Sequence, residues 1–184
     1  MEQTRLQKIY QKEIAPKLKE QLGLKNVMAV PKVKKLVLNI GLKPALKDPK
    51  FVDAAERTLT KIAGQKPVKT IAKKSISNFK IRQGMVVGLM VTLRGRRMYD
   101  FIDKLVTITL PRIRDFRGLS AKLVDHAGNM SVGFRDFLAF PEISAEDTDY
   151  IHGLELTMVT NAGERKRGEA LFKELGFPLQ HNIK

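Results

Sequence analysis

Met85-Val86-Val87-Gly88-Leu89-Met90-Val91-Thr92-Leu93 is the strongest β segment of the chain. Branched and long apolar residues run through it, and cations bracket it: Lys80 and Arg82 before, Arg94, Arg96 and Arg97 after. Immediately upstream, Lys73 to Gly84 is a basic stretch with Ser and Asn, read as a long loop or an irregular hairpin connection. Val68 to Ala72 is a short strand leading into it. Before that, Asp48-Pro49 opens a helix, Asp as cap and Pro at the first helical position. Val52, Ala55, Leu59 and Ile62 form its buried stripe, and Gly64 ends it. Lys32 to Ile40 sets Leu36, Leu38 and Ile40 against Lys35, Val37 and Asn39, the alternation of a half-buried strand. At the start, Thr4 opens a helix with Leu6, Ile9, Tyr10, Ile14, Leu18 and Leu22 at helical spacing and Gly23 as its stop. Pro16, inside that pattern, should kink or split it.

Downstream of the central strand, Met98, Phe101, Ile102 and Leu105 mark a third helix that ends before Pro111. His126-Ala127-Gly128-Asn129 carries turn chemistry between short strand-like pieces. Leu154, Leu156 and Met158 alternate with Glu155, Thr157 and Val159 as a final strand. Asn161 with Glu164 three residues on makes a capping box for the last helix. Its buried stripe is Ala170, Leu171 and Leu175, with Gly176 and Pro178 closing it. Strands are thus joined by both helices and hairpins, without a βαβ rhythm. The expected class is α+β, a mostly antiparallel sheet with helices packed on one face. No Pro/Gly/Ser linker divides the 184 residues, so residues 1–184 read as a single domain.

The charge is the informative part of the composition. Thirty-four Lys and Arg stand against 19 Asp and Glu, a formal net charge of +15. Such a surplus repels itself in the free protein and is most simply explained by a polyanionic partner, nucleic acid before anionic membrane. It is also unevenly placed. Residues 66–122 carry 14 basic and 3 acidic side chains, whereas residues 123–160 carry 1 and 7. A surface built only for solubility would intersperse the signs. The acidic stretch from Asp125 to Glu155 therefore reads as a second surface with a different, basic partner.

Several functions are disfavoured. The chain has no cysteine, hence no disulfide, thiolate nucleophile or cysteine-ligated metal. Its apolar runs fall far below the ~20 residues of a membrane span, and Met1-Glu2-Gln3-Thr4-Arg5 lacks the apolar stretch of a signal peptide. The expected location is cytoplasmic, with no membrane partner. His126, His152 and His181 lie far apart, outside any metal-binding pair. The glycines form no phosphate-cradling loop. Ser75, Ser77 and Ser120 sit among cations with no adjacent base. No enzyme, cofactor, metal or small-molecule substrate is expected. The remaining signal is four cationic clusters: Lys32/Lys34/Lys35, Lys66/Lys69/Lys73/Lys74, Lys80/Arg82 with Arg94/Arg96/Arg97, and Arg112/Arg114/Arg117. Cations at strand ends and in loops reach phosphates from several directions, which suits a folded RNA better than a recognition helix in a groove. With 9 Phe, 3 Tyr and no Trp, base stacking on the sheet is not expected to dominate.

Val30-Pro31-Lys32-Val33, Leu38-Asn39-Ile40-Gly41, Gly64-Gln65-Lys66-Pro67, Phe79-Lys80-Ile81-Arg82-Gln83-Gly84, Val91-Thr92-Leu93-Arg94-Gly95 and Pro111-Arg112-Ile113-Arg114-Asp115-Phe116-Arg117-Gly118-Leu119-Ser120 occur in this order. Together they resemble the bacterial form of the ribosomal large-subunit protein five family, over roughly residues 5 to 178. The resemblance implies a structural constituent of the large subunit that binds 5S rRNA in the central protuberance. It also implies contact with the peptidyl-site tRNA and, across an intersubunit bridge, with a basic small-subunit protein. Large-subunit rRNA and neighbouring large-subunit proteins complete the implied partners.

Carried over by position, Asn39, Gln65 and Thr92 match the family's polar RNA-contacting residues. Each can hydrogen-bond a base edge or ribose hydroxyl. The cations beside them, Lys32, Lys66, Arg94 and Arg96, are the expected phosphate contacts. The resemblance points the Lys73–Gly84 loop, with Lys73, Lys74, Ser75, Lys80 and Arg82, toward the tRNA. It assigns the acidic stretch, chiefly Glu142, Glu146, Asp147 and Asp149, to the bridge. The chain departs from the family in three places: Leu42-Lys43-Pro44-Ala45 replaces a glycine and an acid, and His126-Ala127-Gly128 replaces a glycine-flanked basic turn. Third, the tail His181-Asn182-Ile183-Lys184 runs past the usual end, and residues 179–184 are expected to fray.

Overall fold

The computed structural model describes residues 3–43, 50–135, 137–143 and 150–180. The helix expected at the start is split at its proline. Helix α1 (Arg5–Ile9) is capped by Thr4, whose Oγ1 accepts the Gln7 N–H at 3.3 Å. A π-helical turn over Tyr10–Ile14 follows, and α2 (Ala15–Gln21) then starts with Pro16 in its first turn. The wider turn absorbs the hydrogen bond that proline cannot donate. Next, α3 (Lys50–Ala63) buries Ala55, Leu59 and Ile62 as expected, with Phe51 rather than Val52, which is half-buried, heading the stripe; Gly64 closes it by donating to the Thr60 carbonyl at 2.9 Å. Asp48 and Pro49, the expected start of α3, lie outside the described residues. The π-helical device recurs at Pro111 and corrects one expectation. Helix α4 (Gly95–Lys104) does not stop before the proline: a π-helical turn at Leu105–Thr109 carries the chain into a last turn, α5 (Leu110–Arg112).

Seven strands occur among the described residues. Five of them, β1 (Val33–Gly41), β2 (Val68–Ile71), β3 (Val86–Leu93), β5 (Met130–Phe134) and β6 (Leu154–Thr160), form the main sheet in the order β2-β3-β1-β6-β5. β2 and β3 are antiparallel, with Val68 opposite Met90 and Thr70 opposite Gly88. The Leu42 N–H donates to the Val87 carbonyl at 2.9 Å, joining the end of β1 to the start of β3, and the Asn161 N–H donates to the Lys32 carbonyl at 3.2 Å, joining the end of β6 to the start of β1. The expected α+β class with a mostly antiparallel sheet is what the chain forms. Alternation places Leu36, Leu38, Ile40, Leu89, Val91 and Leu93 in the core, all at most 1% exposed. Leu42, where the chain departs from its resemblance, is buried as well and extends the pairing of β1.

By internal packing the chain forms two units. One takes Met1–Leu36, Leu93–Val132 and Thr157–Lys184, the other Val37–Thr92 and Gly133–Leu156. In the first, the Tyr10 hydroxyl donates to the Pro31 carbonyl at 2.9 Å. Burial, reinforced by the neighbouring Tyr99, pushes its pKa up to about 12. The last helix, α6 (Arg165–Glu174), lacks the expected capping box. Asn161 is committed elsewhere: its Oδ1 accepts the Lys32 N–H at 2.5 Å. A two-stranded parallel sheet joins β4 (Leu119–Ser120) to β7 (Leu179–Gln180), with Leu119 opposite Leu179. The expected fraying therefore does not begin at residue 179; residues 181–184 lie outside the described residues. In the second unit, Thr58 Oγ1 of α3 and His152 Nε2 are hydrogen-bonded at 2.8 Å, and the His152 ring packs against Phe51 and Phe137. Burial holds His152 below its ordinary pKa, the hydrogen bond to the Gly153 carbonyl acting the other way.

Candidate nucleic-acid interface

The face of the sheet opposite the core is only partly covered. In the second unit it presents Val68 and Thr70 of β2, Met90 and Thr92 of β3, and Val37 and Asn39 of β1, as the alternation requires, with Gly88 of β3 on the same side but buried. Two of the three residues carried over from the family, Asn39 and Thr92, therefore share one open face, both half-buried. Asn39 Nδ2 donates to Glu155 Oε2 on β6 at 3.5 Å. Gln65, the third, is half-buried between α3 and β2 rather than within the sheet. Beside it, Lys66 Nζ lies 3.7 Å and Lys69 Nζ 3.2 Å from the Glu56 carboxylate, whose side chain is 19% exposed. That carboxylate sits beside two exposed lysines near the entrance of β2 and offsets part of their charge without holding either in place.

Lys32, Arg94 and Arg96 belong to the first unit. Lys32 is exposed, with its backbone pinned by Asn161. Arg94 stands in extended conformation before α4, and Arg96 lies in the first turn, 3.8 Å from Asp100 in an exposed pair. Such a pair contributes little and leaves the guanidinium able to turn to a phosphate. Farther along the same unit, Arg112, Arg114 and Arg117 are exposed around Asp115, whose φ is 55°.

The Lys73–Gly84 stretch is an ordered hairpin. Ile76 and Ile81 exchange backbone hydrogen bonds at 2.8 and 3.1 Å, a 3₁₀ turn spans Ser77–Phe79, and Lys80 takes a left-handed φ of 55°. Ser75 Oγ accepts the Gln83 N–H at 2.9 Å, so this hydroxyl holds the hairpin's shape. Lys73, Lys74, Lys80 and Arg82 are all exposed. Sequence reasoning passed over the apolar part of this region. Val68, Ile71, Ile76 and Phe79 are 63%, 61%, 45% and 60% exposed. The signal was present: apolar residues recur through a basic stretch that has no core-facing period. From Arg57 to Tyr99 the chain contains no Asp or Glu at all, so nothing acidic within that stretch opposes a phosphate backbone.

Glu142, expected at the bridge, is half-buried after β5, while Glu146, Asp147 and Asp149 lie outside the described residues. Among the described residues, no three His, Cys, Asp or Glu side chains gather into a metal-binding group. None of the described helices is long and apolar enough to cross a membrane.

An acid-free cationic stretch running into an antiparallel sheet, whose open face sets Thr70, Thr92 and Asn39 among apolar residues, points to the class: a binder of folded RNA. Comparison with known proteins gives the family. A family profile described as ribosomal protein L5 matches residues 26–82, and a second, described as the C-terminus of that ribosomal family, matches residues 86–179. The large ribosomal subunit protein uL5 of Francisella tularensis subsp. novicida is 53% identical over 176 residues, covering 96% of this chain and 98% of that protein. The protein of the same name from Desulforapulum autotrophicum is 52% identical over 178 residues, covering 97% and 99%. The chain belongs to the ribosomal protein L5 family, in its bacterial form. It is accordingly a structural, non-enzymatic constituent of the large ribosomal subunit and an rRNA-binding protein of the ribosome, which in bacteria is cytoplasmic.

Proposed function

We propose that this protein binds 5S rRNA through the open face of the second unit, with Asn39, Gln65 and Thr92 hydrogen-bonding bases or ribose. Lys32, Lys66, Arg94 and Arg96 hold phosphates. The observation that carries this reading is the convergence on one sheet of two polar residues matched by resemblance, Asn39 and Thr92, with the acid-free stretch from Arg57 to Tyr99. Polar side chains on a rigid strand can discriminate RNAs, whereas the cations bind any phosphate backbone. The hairpin carrying Lys73, Lys74, Lys80 and Arg82, braced by Ser75, faces the peptidyl-site tRNA. Its ordered backbone lowers the entropy lost on docking. The acidic stretch with Glu142, Glu146, Asp147 and Asp149 repels RNA and meets a basic small-subunit protein.

The test is competition between 5S rRNA and a control RNA of equal length for the purified protein at raised salt. Preference for 5S rRNA that persists as total affinity falls is the expected result. Equal loss of both RNAs, with no preference at any salt, refutes the reading.

A further inference from the structure

Thr70 stands where three strands adjoin on the open face. Its partner across the β2–β3 ladder is Gly88. A Cβ placed on Gly88 would lie 2.7 Å from Thr70 Oγ1, 2.9 Å from the Ile40 carbonyl oxygen and 3.8 Å from Asn39 Oδ1. The missing side chain is what lets the Thr70 hydroxyl lean inward over β3, toward Asn39 on β1. A glycine inside a strand often marks such a close approach. Asn39 commits its Nδ2 to Glu155 on β6, which leaves Oδ1 on the Gly88 side. The outcome is a polar row of three groups, the Thr70 hydroxyl on β2, the Asn39 amide oxygen on β1 and the Glu155 carboxylate on β6, passing over Gly88 of β3.

The chemistry of that row selects its ligand. The threonine hydroxyl can donate or accept, the amide oxygen only accepts, and so does the carboxylate. An acceptor-rich row with a negative charge at one end repels phosphate. It suits donor groups, namely ribose 2′-hydroxyls and the amino groups of unpaired bases. We propose that Thr70 is a further RNA-contacting residue, and that Thr70 and Asn39, backed by Glu155, take hydroxyl and amino groups of the RNA rather than its phosphates. This rests on the proposed binding of 5S rRNA and adds to it which part of the nucleotide this face reads.

The experiment measures binding of the full chain to 5S rRNA and to control RNA across a range of salt. Thr70→Val deletes the hydroxyl but keeps the branched shape and strand preference, and Thr70→Ser keeps the hydroxyl. Thr70→Val should weaken 5S rRNA binding about three- to ten-fold, the loss of one or two hydrogen bonds. It should leave control-RNA binding and the salt dependence unchanged, and Thr70→Ser should bind 5S rRNA within about two-fold of wild type. If valine perturbs the strand, as a melting curve would show, Thr70→Ala measured well below its melting temperature supplies the same contrast with serine. Hydroxyl-free variants that bind 5S rRNA like wild type, or that weaken it with a shallower salt dependence, overturn this inference and leave the proposed function standing. A wild-type protein without preference for 5S rRNA overturns both.

Discussion

Replacing Gly168 with alanine should destabilise the protein, although intrinsic helix propensity argues the opposite. Gly168 lies inside α6, where alanine is favoured over glycine by about 1 kcal/mol. Its Cα, however, faces the backbone of the Asp125–Asn129 turn. A Cβ at position 168 would sit 2.6 Å from Gly128 Cα, 2.6 Å from its carbonyl oxygen and 2.9 Å from its carbonyl carbon. Ordinary contact is about 3.5–4.0 Å, so helix and turn would have to separate by roughly 1 Å. The turn cannot easily retreat. The Gly128 N–H donates to the Asp125 carbonyl at 3.1 Å, and the Gly128 carbonyl accepts the Thr160 hydroxyl at 2.8 Å. Asn129 Oδ1 also accepts the Thr160 N–H at 2.9 Å. Overpacking against so constrained a backbone belongs at the upper end of the ~1–3 kcal/mol range, leaving a net loss of about 1–2 kcal/mol after the helix gain. For a chain of this size that lowers Tm by roughly 3–6 °C in a circular-dichroism melt. Gly133→Ala on β5 is the control, because nothing lies within 4 Å of its Cβ position, and it should stay within ~0.5 kcal/mol of wild type. A Gly168→Ala protein that melts at or above wild type would refute the packing argument.

Three further outcomes are expected. His152, buried against Phe51, Phe137 and Thr58, has its folded-state pKa below the ordinary 6.5. The unfolded chain therefore takes up the proton first, and stability that is full above pH 6.5 is lost as pH falls below it. Urea midpoints at about pH 7.5 and pH 5 should show this fall, and a His152→Leu variant should flatten it; an unchanged slope would remove His152 from the account. Asn39→Ala should reduce the preference for 5S rRNA over control RNA by about 1–3 kcal/mol, while Arg96→Ala weakens both RNAs about equally; filter-binding ratios distinguish the two patterns. Reversing the charges at Glu146, Asp147 and Asp149 should leave 5S rRNA binding intact or slightly tighter and weaken subunit joining, most at low salt, as sedimentation of reassociated subunits would show.

The strands were legible because their core faces alternate strictly: Leu36, Leu38 and Ile40 could be assigned inward from spacing alone, and all are 0% exposed. Helix limits near proline were less so. Pro111 reads as a stop, and only the π-helical turn at Leu105–Thr109, which has no side-chain signature, lets the helix continue past it. Asn161 was misread because a local signal, Glu164 three residues on, coincided with a long-range one. Its bond to Lys32 spans 129 residues and cannot be inferred from spacing. The two short strands β4 and β7 escaped for a related reason, since two-residue elements have no period to detect. In the candidate site, cations and carried-over polar residues were visible as residue types. What stayed hidden was pairing: the Glu56 carboxylate between Lys66 and Lys69, the Glu155 carboxylate on Asn39, and Thr70 leaning over Gly88. Each depends on which elements lie side by side.

The most direct test of the central claim is a map of backbone amide signals of the ¹⁵N-labelled full chain as 5S rRNA is added, recorded at raised salt beside the control RNA. Binding through the open face predicts that 5S rRNA shifts or broadens the signals of Asn39, Gln65, Thr70 and Thr92, and that the control RNA moves chiefly signals in the cationic segments. Shifts confined to residues 125–150, on the acidic stretch but away from Glu155, or identical maps for the two RNAs, would contradict it.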